Sequence, residues 1–477
     1  MNILDPILFH CRLQPEAPAI CAPGIDLVTY GRLEQCLNNV AYRGLAVGIT
    51  PGQVVAISVS QPVVHAAFIL GLSRIGVVTA SIGTQQLPKG LRFDAVVSDR
   101  NEPHPEIKTI RADPSWTMGD GKPPALAHFP RGADLCRVHL TSGTTGEPKG
   151  VAVTHDMLLG RIFRYYAAYG SSFARSSRLF CDLALGTALG HQLLIWTLAK
   201  GGTFFMRGNN AETMLRAFDA YKVETLVAAP SGLSEFVSDF GRLRCRHSFD
   251  LVSAAGSLLS RSLSERARNR LSPNLICDYG SAETSNAAMA YARDIEQIPG
   301  AVGCVTPGIT IDIVDEAGRS VPAEEEGEVR IRGDYVANGY FADPEASARH
   351  FRDGWFYPGD NGCLTPDGML IIAGRQKAIL NVGGDKINPE TIEEVICSFE
   401  GVTAAAALTV VNTRGIEEVW AAIEANRPID EGRLRALCEQ RFANIFVPKR
   451  FVVLDALPTN EGGKLDRSRL AKLLKTN

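Results

Sequence analysis

Short apolar segments alternate with helix-length segments through roughly the first 300 residues, and this rhythm constrains the fold more than any other feature of the chain. Val54–Val59 reads as a strand and Pro62–Arg74 as an apolar helix. Ala95–Ser98, Val138–Thr141, Thr225–Ala229 and Leu251–Ala254 continue the strand series. Strands separated by helices pair in parallel, so the pattern predicts an α/β protein whose parallel sheets are covered by helices. The texture changes between Gly303 and Gly374. There Ile309–Val314, Gly327–Arg332 and Met369–Ala373 are bounded by Asp-Gly, Glu-Gly and Pro-Asp-Gly turn signals, which predict a small antiparallel, barrel-like piece. After Arg375 a βαβ-like pattern begins again, with helices over Pro389–Phe399 and Glu431–Arg441 and strands over Ala405–Val411, Val419–Ala425 and Phe451–Leu454. A chain of 477 residues is too long for one ordinary core. The expectation is a large N-terminal domain over 1–374 and a small α+β C-terminal domain over 375–477.

A net charge of -3 gives no electrostatic reason to expect nucleic acid or an anionic membrane as partner. The longest apolar stretches, Ala66–Leu72 and Ala404–Val411, fall far short of the roughly 20 residues of a membrane helix. Met1–His10 carries Asp5 and Pro6 and lacks the pattern of a signal peptide. Eleven scattered cysteines include no Cys-x-x-Cys pair, and they read as reduced packing residues of a cytoplasmic protein.

The chemistry begins at Leu140-Thr-Ser-Gly-Thr-Thr-Gly-Glu-Pro-Lys-Gly150. Gly143, Gly146 and Gly150 remove bulk, so that backbone N–H groups can face an anion. Thr141, Ser142, Thr144 and Thr145 add hydroxyls, and Lys149 adds a cation. Such a loop suits a triphosphate. It is not a Walker A loop, because Gly-x4-Gly-Lys-Ser/Thr is absent and Val151–Val153 continues as a strand. A donor-rich surface turn is the alternative reading of the same composition.

With the motifs downstream, this loop resembles the signature of the adenylate-forming superfamily of acyl-CoA synthetases, nonribosomal peptide adenylation domains and beetle luciferase. The likeness runs from Val28-Thr-Tyr30 through Pro51–Ile57 to Pro458–Leu470. In Asp278-Tyr-Gly-Ser-Ala-Glu-Thr284, Tyr279 beside Gly280 and Ser281 offers a flat face for adenine, Glu283 a hard oxygen ligand for Mg²⁺, and Thr284 a hydroxyl for the α-phosphate. The resemblance also implies that Ala255, Gly256 and Ser257 edge the adenine pocket and that Thr145 joins Glu283 at the metal. Asp360, in Trp355-Phe-Tyr-Pro-Gly-Asp360, and Arg375 are implied at the ribose. Lys377 falls at the family's hinge, Gly383 and Gly384 at its pantetheine route, and Lys464, in Gly462-Gly463-Lys464, at its catalytic lysine.

The implied activity has two steps. ATP activates a carboxylic acid as an acyl-adenylate, and the acyl group then passes to a thiol, with Lys149, Thr145, Glu283 and Lys464 acting in catalysis. The thiol is that of coenzyme A or of a carrier-protein phosphopantetheine. A nucleotide-binding relative without activity is a third reading, which intact Glu283, Asp360, Arg375 and Lys464 oppose. The sequence departs from the family in Cys181–Gly190. The aromatic-His pair that gates acyl pockets would fall near Gly186 or Thr187, and the Asp of amino-acid-activating domains near Ala188. Neither is present in register, which argues against an α-amino acid substrate. Cys277 also stands where Asn or Gln is usual.

Overall fold

The computed structural model describes residues 1–82, 90–100, 107–112, 114–124, 129–141, 148–257, 259–298, 300–375, 380–382, 385–411, 417–460 and 463–476, with Arg375 described by its backbone alone. Of the site residues expected from the sequence, Ser142, Gly143, Thr144, Thr145, Gly146, Lys377, Gly383 and Gly384 lie outside these residues.

A six-stranded sheet takes the order Thr109–Arg111, Ala95–Ser98, Val54–Ser58, Val78–Ser81, Leu135–Thr141 and Lys149–Thr154. Its first five strands are parallel, as the β-helix-β rhythm requires. Lys149–Thr154 instead returns antiparallel and sets Lys149 opposite Thr141. The helix Pro62–Arg74 starts where Pro62 needs no N–H partner and the Gln61 side chain accepts from the Val64 amide. It is buried on nearly all sides, as its unbroken apolar sequence demands.

The second sheet has fifteen strands. Its centre is parallel: Pro18–Ala22, Thr203–Phe205, Arg178–Cys181, Thr225–Ala228, Leu251–Ala255 and Leu275–Ser281. The turn-rich strands beyond are antiparallel, as expected, but they continue the same ladder. Ser285–Tyr291 folds straight back on Leu275–Ser281, and Ala301–Val305, Met369–Arg375, Asp360–Leu364 and Gly327–Gly333 follow.

Period-two alternation divides the apolar residues between two cores. Leu179 and Phe204 join Val55, Ile57 and Val151 of the six-stranded sheet in one core. Their neighbours Phe180 and Phe205 meet Phe218, Phe236, Phe240 and Phe249 on the other face. Full burial of each such ring stabilises by about 1.5–3 kcal/mol.

Val402–Val411, Glu417–Ala425 and Arg450–Val453 form a three-stranded sheet. The first two strands make an antiparallel pair, and the βαβ reading applies to the second and third, which are parallel around Glu431–Glu439. Ala407, Ala421 and Ile423 pack on Ile392, Ile396 and Leu434, whereas Ala406, Leu408 and Ala422 pack on Leu470 and Leu474. Both faces are covered, which accounts for the nearly continuous apolar run Ala404–Val411. No described helix is long and apolar enough to cross a membrane.

Candidate active site

Three parallel strands end together. Their register aligns Ala228 with Ala254 and Ala255 with Asp278, so Ala229–Ser231, Ala255–Ser257 and Tyr279–Ser281 emerge at one edge of the sheet. Ligands of open α/β sheets bind at such carboxyl ends. Gly256 leaves its strand with φ +99°, a conformation that side-chain-bearing residues rarely adopt. Gly280 sits at a bulge, where a Cβ would lie 1.8 Å from the Ser285 carbonyl oxygen. These two glycines shape the floor.

Tyr279 stands half-buried beside this floor, and its hydroxyl donates to Oδ2 of Asp360 at 2.6 Å. Asp360 is buried and pairs across strands with Arg375. Three sequence motifs distant along the chain thereby meet at one point.

Glu283 is also buried, and Oε1 accepts from the Tyr340 hydroxyl at 2.8 Å. The Tyr340 ring lies 4.8 Å from the ammonium of Lys149, whose Nζ is 3.0 Å from Nε2 of His350. Nδ1 of that imidazole faces the Tyr357 carbonyl at 3.0 Å, so a proton on Nδ1 leaves the Nε2 lone pair for lysine. The Glu283 turn is held from below. Arg161 donates to the carbonyls of Ala282, Glu283 and Tyr335 at 3.1, 2.9 and 3.0 Å, and Arg164 donates to that of Thr284 at 2.8 Å. Tyr340, His350, Arg161 and Arg164 belong to none of the motifs singled out above. Two arginines one helical turn apart in His155–Arg175 were the only available signal.

Two predicted residues face inward. Thr284 is fully buried; its hydroxyl accepts from the Ser281 amide at 3.1 Å and donates to the Ser285 carbonyl at 2.9 Å, so here it shapes the turn and does not face the open floor. The Asp278 carboxylate is buried on the far side of the strand, where Ser253 donates to it at 2.7 Å and Asn286 donates to its other oxygen. Burial pushes its pKa up to about 6. Cys277 is buried beside it, and desolvation raises its thiol to about 12, so it acts as an apolar residue. Asp182 is bound to Arg207, which also reaches Glu235 at 2.7 Å.

The C-terminal segment reaches this floor. Thr459 bridges Leu465, and Asn460 and Lys464 exchange hydrogen bonds, closing a turn around Gly463. Ser231 donates to the Gly463 carbonyl at 2.9 Å, and a Cβ on Gly256 would stand 3.7 Å from Cε of Lys464. Arg266 adds a second tie, to the Thr403 carbonyl at 3.3 Å. Lys464 thus hangs over the edge where the three strands end.

The fold and this convergence of motifs define an adenylate-forming enzyme, and the chain belongs to the AMP-binding enzyme family, which matches residues 9–341. It is similar to the 4-chlorobenzoate–CoA ligase of an Arthrobacter species, 26% identical over 98% of this chain and 94% of that protein. It is also similar to the 2-succinylbenzoate–CoA ligase of Listeria monocytogenes, 24% identical over 96% of this chain and 97% of that one. Among solved structures, an anthranilate CoA ligase in complex with anthranoyl-AMP superposes with a TM-score of 0.84 at 21% identity, covering 100% of this chain and 98% of that one.

Proposed function

We propose that the chain is an AMP-forming acid–CoA ligase, with an adenylate-forming domain over 1–374 and a mobile C-terminal domain over 375–477. The observation that carries this reading is Lys464 poised at Gly256, on the same floor as the Tyr279–Asp360 pair. A carboxylate is already ionised at pH 7, so its attack on the α-phosphate of ATP needs no general base. The chain's task is alignment and charge stabilisation. The Tyr279 ring packs on adenine, and Asp360 and Arg375 hold the ribose. Lys149 and the loop Thr141–Gly146 hold the β- and γ-phosphates, and Lys464 bridges the entering carboxylate and the α-phosphate.

Glu283 fits a magnesium ion held mainly by phosphate oxygens and water. It is a hard carboxylate fixed through one oxygen, and the described residues contain no cluster of His, Cys, Asp and Glu that would hold a metal unaided. Once bound, the ion would offset charge on the triphosphate.

In the second step the Lys464 turn must leave before a thiol can approach. Lys377 would be the pivot, and Gly383 and Gly384 would line the thiol route. The acceptor we assign is coenzyme A, as the names of the aryl-CoA ligase relatives suggest. All eleven cysteines are free thiols, which fits the reducing cytoplasm we assign. The test is pyrophosphate release from ATP with a panel of carboxylic acids, followed by thioester formation with CoA beside a pantetheinylated carrier protein. Absence of acid-dependent release across the panel would refute the reading. A thioester on the carrier alone would overturn the choice of CoA.

A further inference from the structure

Away from the nucleotide corner, the molecule buries an arginine that meets no acid among the described residues. Arg137 lies on the strand Leu135–Thr141, four residues before Thr141, and is 1% exposed. Nη1 donates to Thr79 Oγ1 at 3.0 Å, and Nη2 donates to Ser81 Oγ at 2.5 Å and to the Leu185 carbonyl at 3.2 Å. Nε has no partner, and among the described residues Arg137 forms no ion pair. Burial lowers its pKa only to about 9, so it stays a cation at neutral pH.

Its neighbours do not offset the charge. His139 is fully buried with neither ring nitrogen bonded, and its ring centroid is 5.3 Å from that of His191, whose Nδ1 is also without a partner. Burial holds both imidazoles well below their usual pKa, so they are neutral. His65, 2.6 Å from Ser81, is held down to about 3 by burial and by Arg137 itself. Gln192 leaves its Nε2 unpaired. An orphaned buried donor destabilises the fold, and an uncompensated buried charge does so more strongly. A site of this composition lacks an anion.

The cluster adjoins the reaction floor. Oε1 of Gln192 accepts from Ser285 at 2.8 Å, directly after the Glu283–Thr284 turn. Leu185, whose carbonyl Arg137 holds, precedes Gly186, where a Cβ would stand 3.4 Å from Ser81. At about 3.3 Å per residue, Arg137 is roughly 13 Å along its strand from Thr141 and the phosphate loop.

We infer that Arg137, with Ser81 and the imidazoles around it, receives a second carboxylate at the far end of the acid, so that the substrates of this enzyme are elongated dicarboxylic acids. The inference rests on the ligase reading above. A site built to pair with a charged group rejects an isostere that lacks it, because its own donors are then left unpaired.

The experiment compares matched acids in pyrophosphate release: pimelate with heptanoate, azelate with nonanoate, and 4-carboxyphenylacetate with 4-methylphenylacetate. At least one dicarboxylate should exceed its partner in kcat/KM by about 100-fold or more. Arg137→Met should erase that preference through KM for the acid, with KM for ATP within about twofold of wild type, and Arg137→Lys should restore part of it. Equal or better use of the monocarboxylates by the wild-type enzyme, which requires no variant, would overturn the inference and leave the ligase reading intact. A preference that survives in Arg137→Met would also overturn it. Should that variant not fold, Ser81→Ala should reduce the preference several-fold, and an unchanged ratio would count against the site. Failure of every acid to release pyrophosphate would remove the ligase reading and this inference together.

Discussion

The Tyr340 hydroxyl donates to Oε1 of Glu283 at 2.8 Å, and the same ring carries the Lys149 ammonium 4.8 Å from its centre. One tyrosine therefore orients both the carboxylate we assign to the metal and the cation we assign to the phosphates. Burial and the nearby Glu283 charge raise the Tyr340 pKa, so the phenol remains a donor throughout the physiological range. Tyr340→Phe keeps the ring and frees the carboxylate. Loss of such an orienting partner lowers metal affinity by about 10–100-fold. The expected result is a rise of that size in the Mg²⁺ concentration for half-maximal pyrophosphate release. An unchanged Mg²⁺ curve would place the metal away from Glu283.

Asp360 and Tyr279 are hydrogen-bonded to each other but should differ in weight. Asp360→Ala removes the carboxylate assigned to the ribose and leaves the tyrosine hydroxyl without its acceptor, a loss of about 2–4 kcal/mol in ATP use. Tyr279→Phe keeps the stacking face and removes one hydrogen bond, about 1 kcal/mol. Steady-state KM for ATP in the two variants checks the order. Equal effects would mean that the bond between them matters more than the ribose contact.

Which parts of this site the sequence announces follows from how local their causes are. Tyr279, Asp360 and Lys464 stand beside glycines that the backbone itself requires, as the 1.8 Å approach at Gly280 and the φ of +80° at Gly359 and +71° at Gly463 demonstrate, and Glu283 lies in the same turn as Gly280. Tyr340 meets its partner across 57 residues and His350 across 201, with no local signal. The parallel centre of both sheets was legible because helices separate its strands. The continuity of the large sheet was not, because it depends on Ser285–Tyr291 pairing with both Leu275–Ser281 and Ala301–Val305. Thr284 was assigned to the α-phosphate from its place in a motif, yet only the folded turn shows its hydroxyl bonded inward.

Asp278 makes stability depend on pH. Burial raises its carboxyl from 3.8 to about 6, against the opposing pull of hydrogen bonds from Tyr169, Ser253 and Asn286. Between about pH 4 and pH 6 the native state retains a proton that the unfolded chain has released. Stability therefore falls as pH rises through this window, and the deficit persists above it. Asp278→Asn abolishes the titration. Relative to wild type, the variant should gain on the order of 2–3 kcal/mol on going from pH 4 to pH 7, read from urea unfolding at each pH. A difference that is constant with pH would mean that Asp278 titrates in the ordinary range.

Lys464 should serve only the first half-reaction. Its turn is tied to the N-terminal floor by the Ser231–Gly463 hydrogen bond, and Arg266 holds the same C-terminal segment through Thr403. Each tie is a single, part-buried hydrogen bond, so it can break when the segment withdraws. In the adenylation transition state, negative charge concentrates where the carboxylate oxygen meets the α-phosphate, and removal of one preorganised donor there costs about 10²–10³ in rate. Lys464→Ala should nearly abolish pyrophosphate release, yet convert pre-made acyl-adenylate to thioester at close to the wild-type rate. Ser231→Ala weakens the docking without touching the charge, and should slow adenylation several-fold while sparing the thiol step. A folded Lys464→Ala protein that loses both steps equally would contradict a role confined to one. Retained adenylation would transfer the role to another cation, with Lys149 next in line because it meets Glu283 through Tyr340.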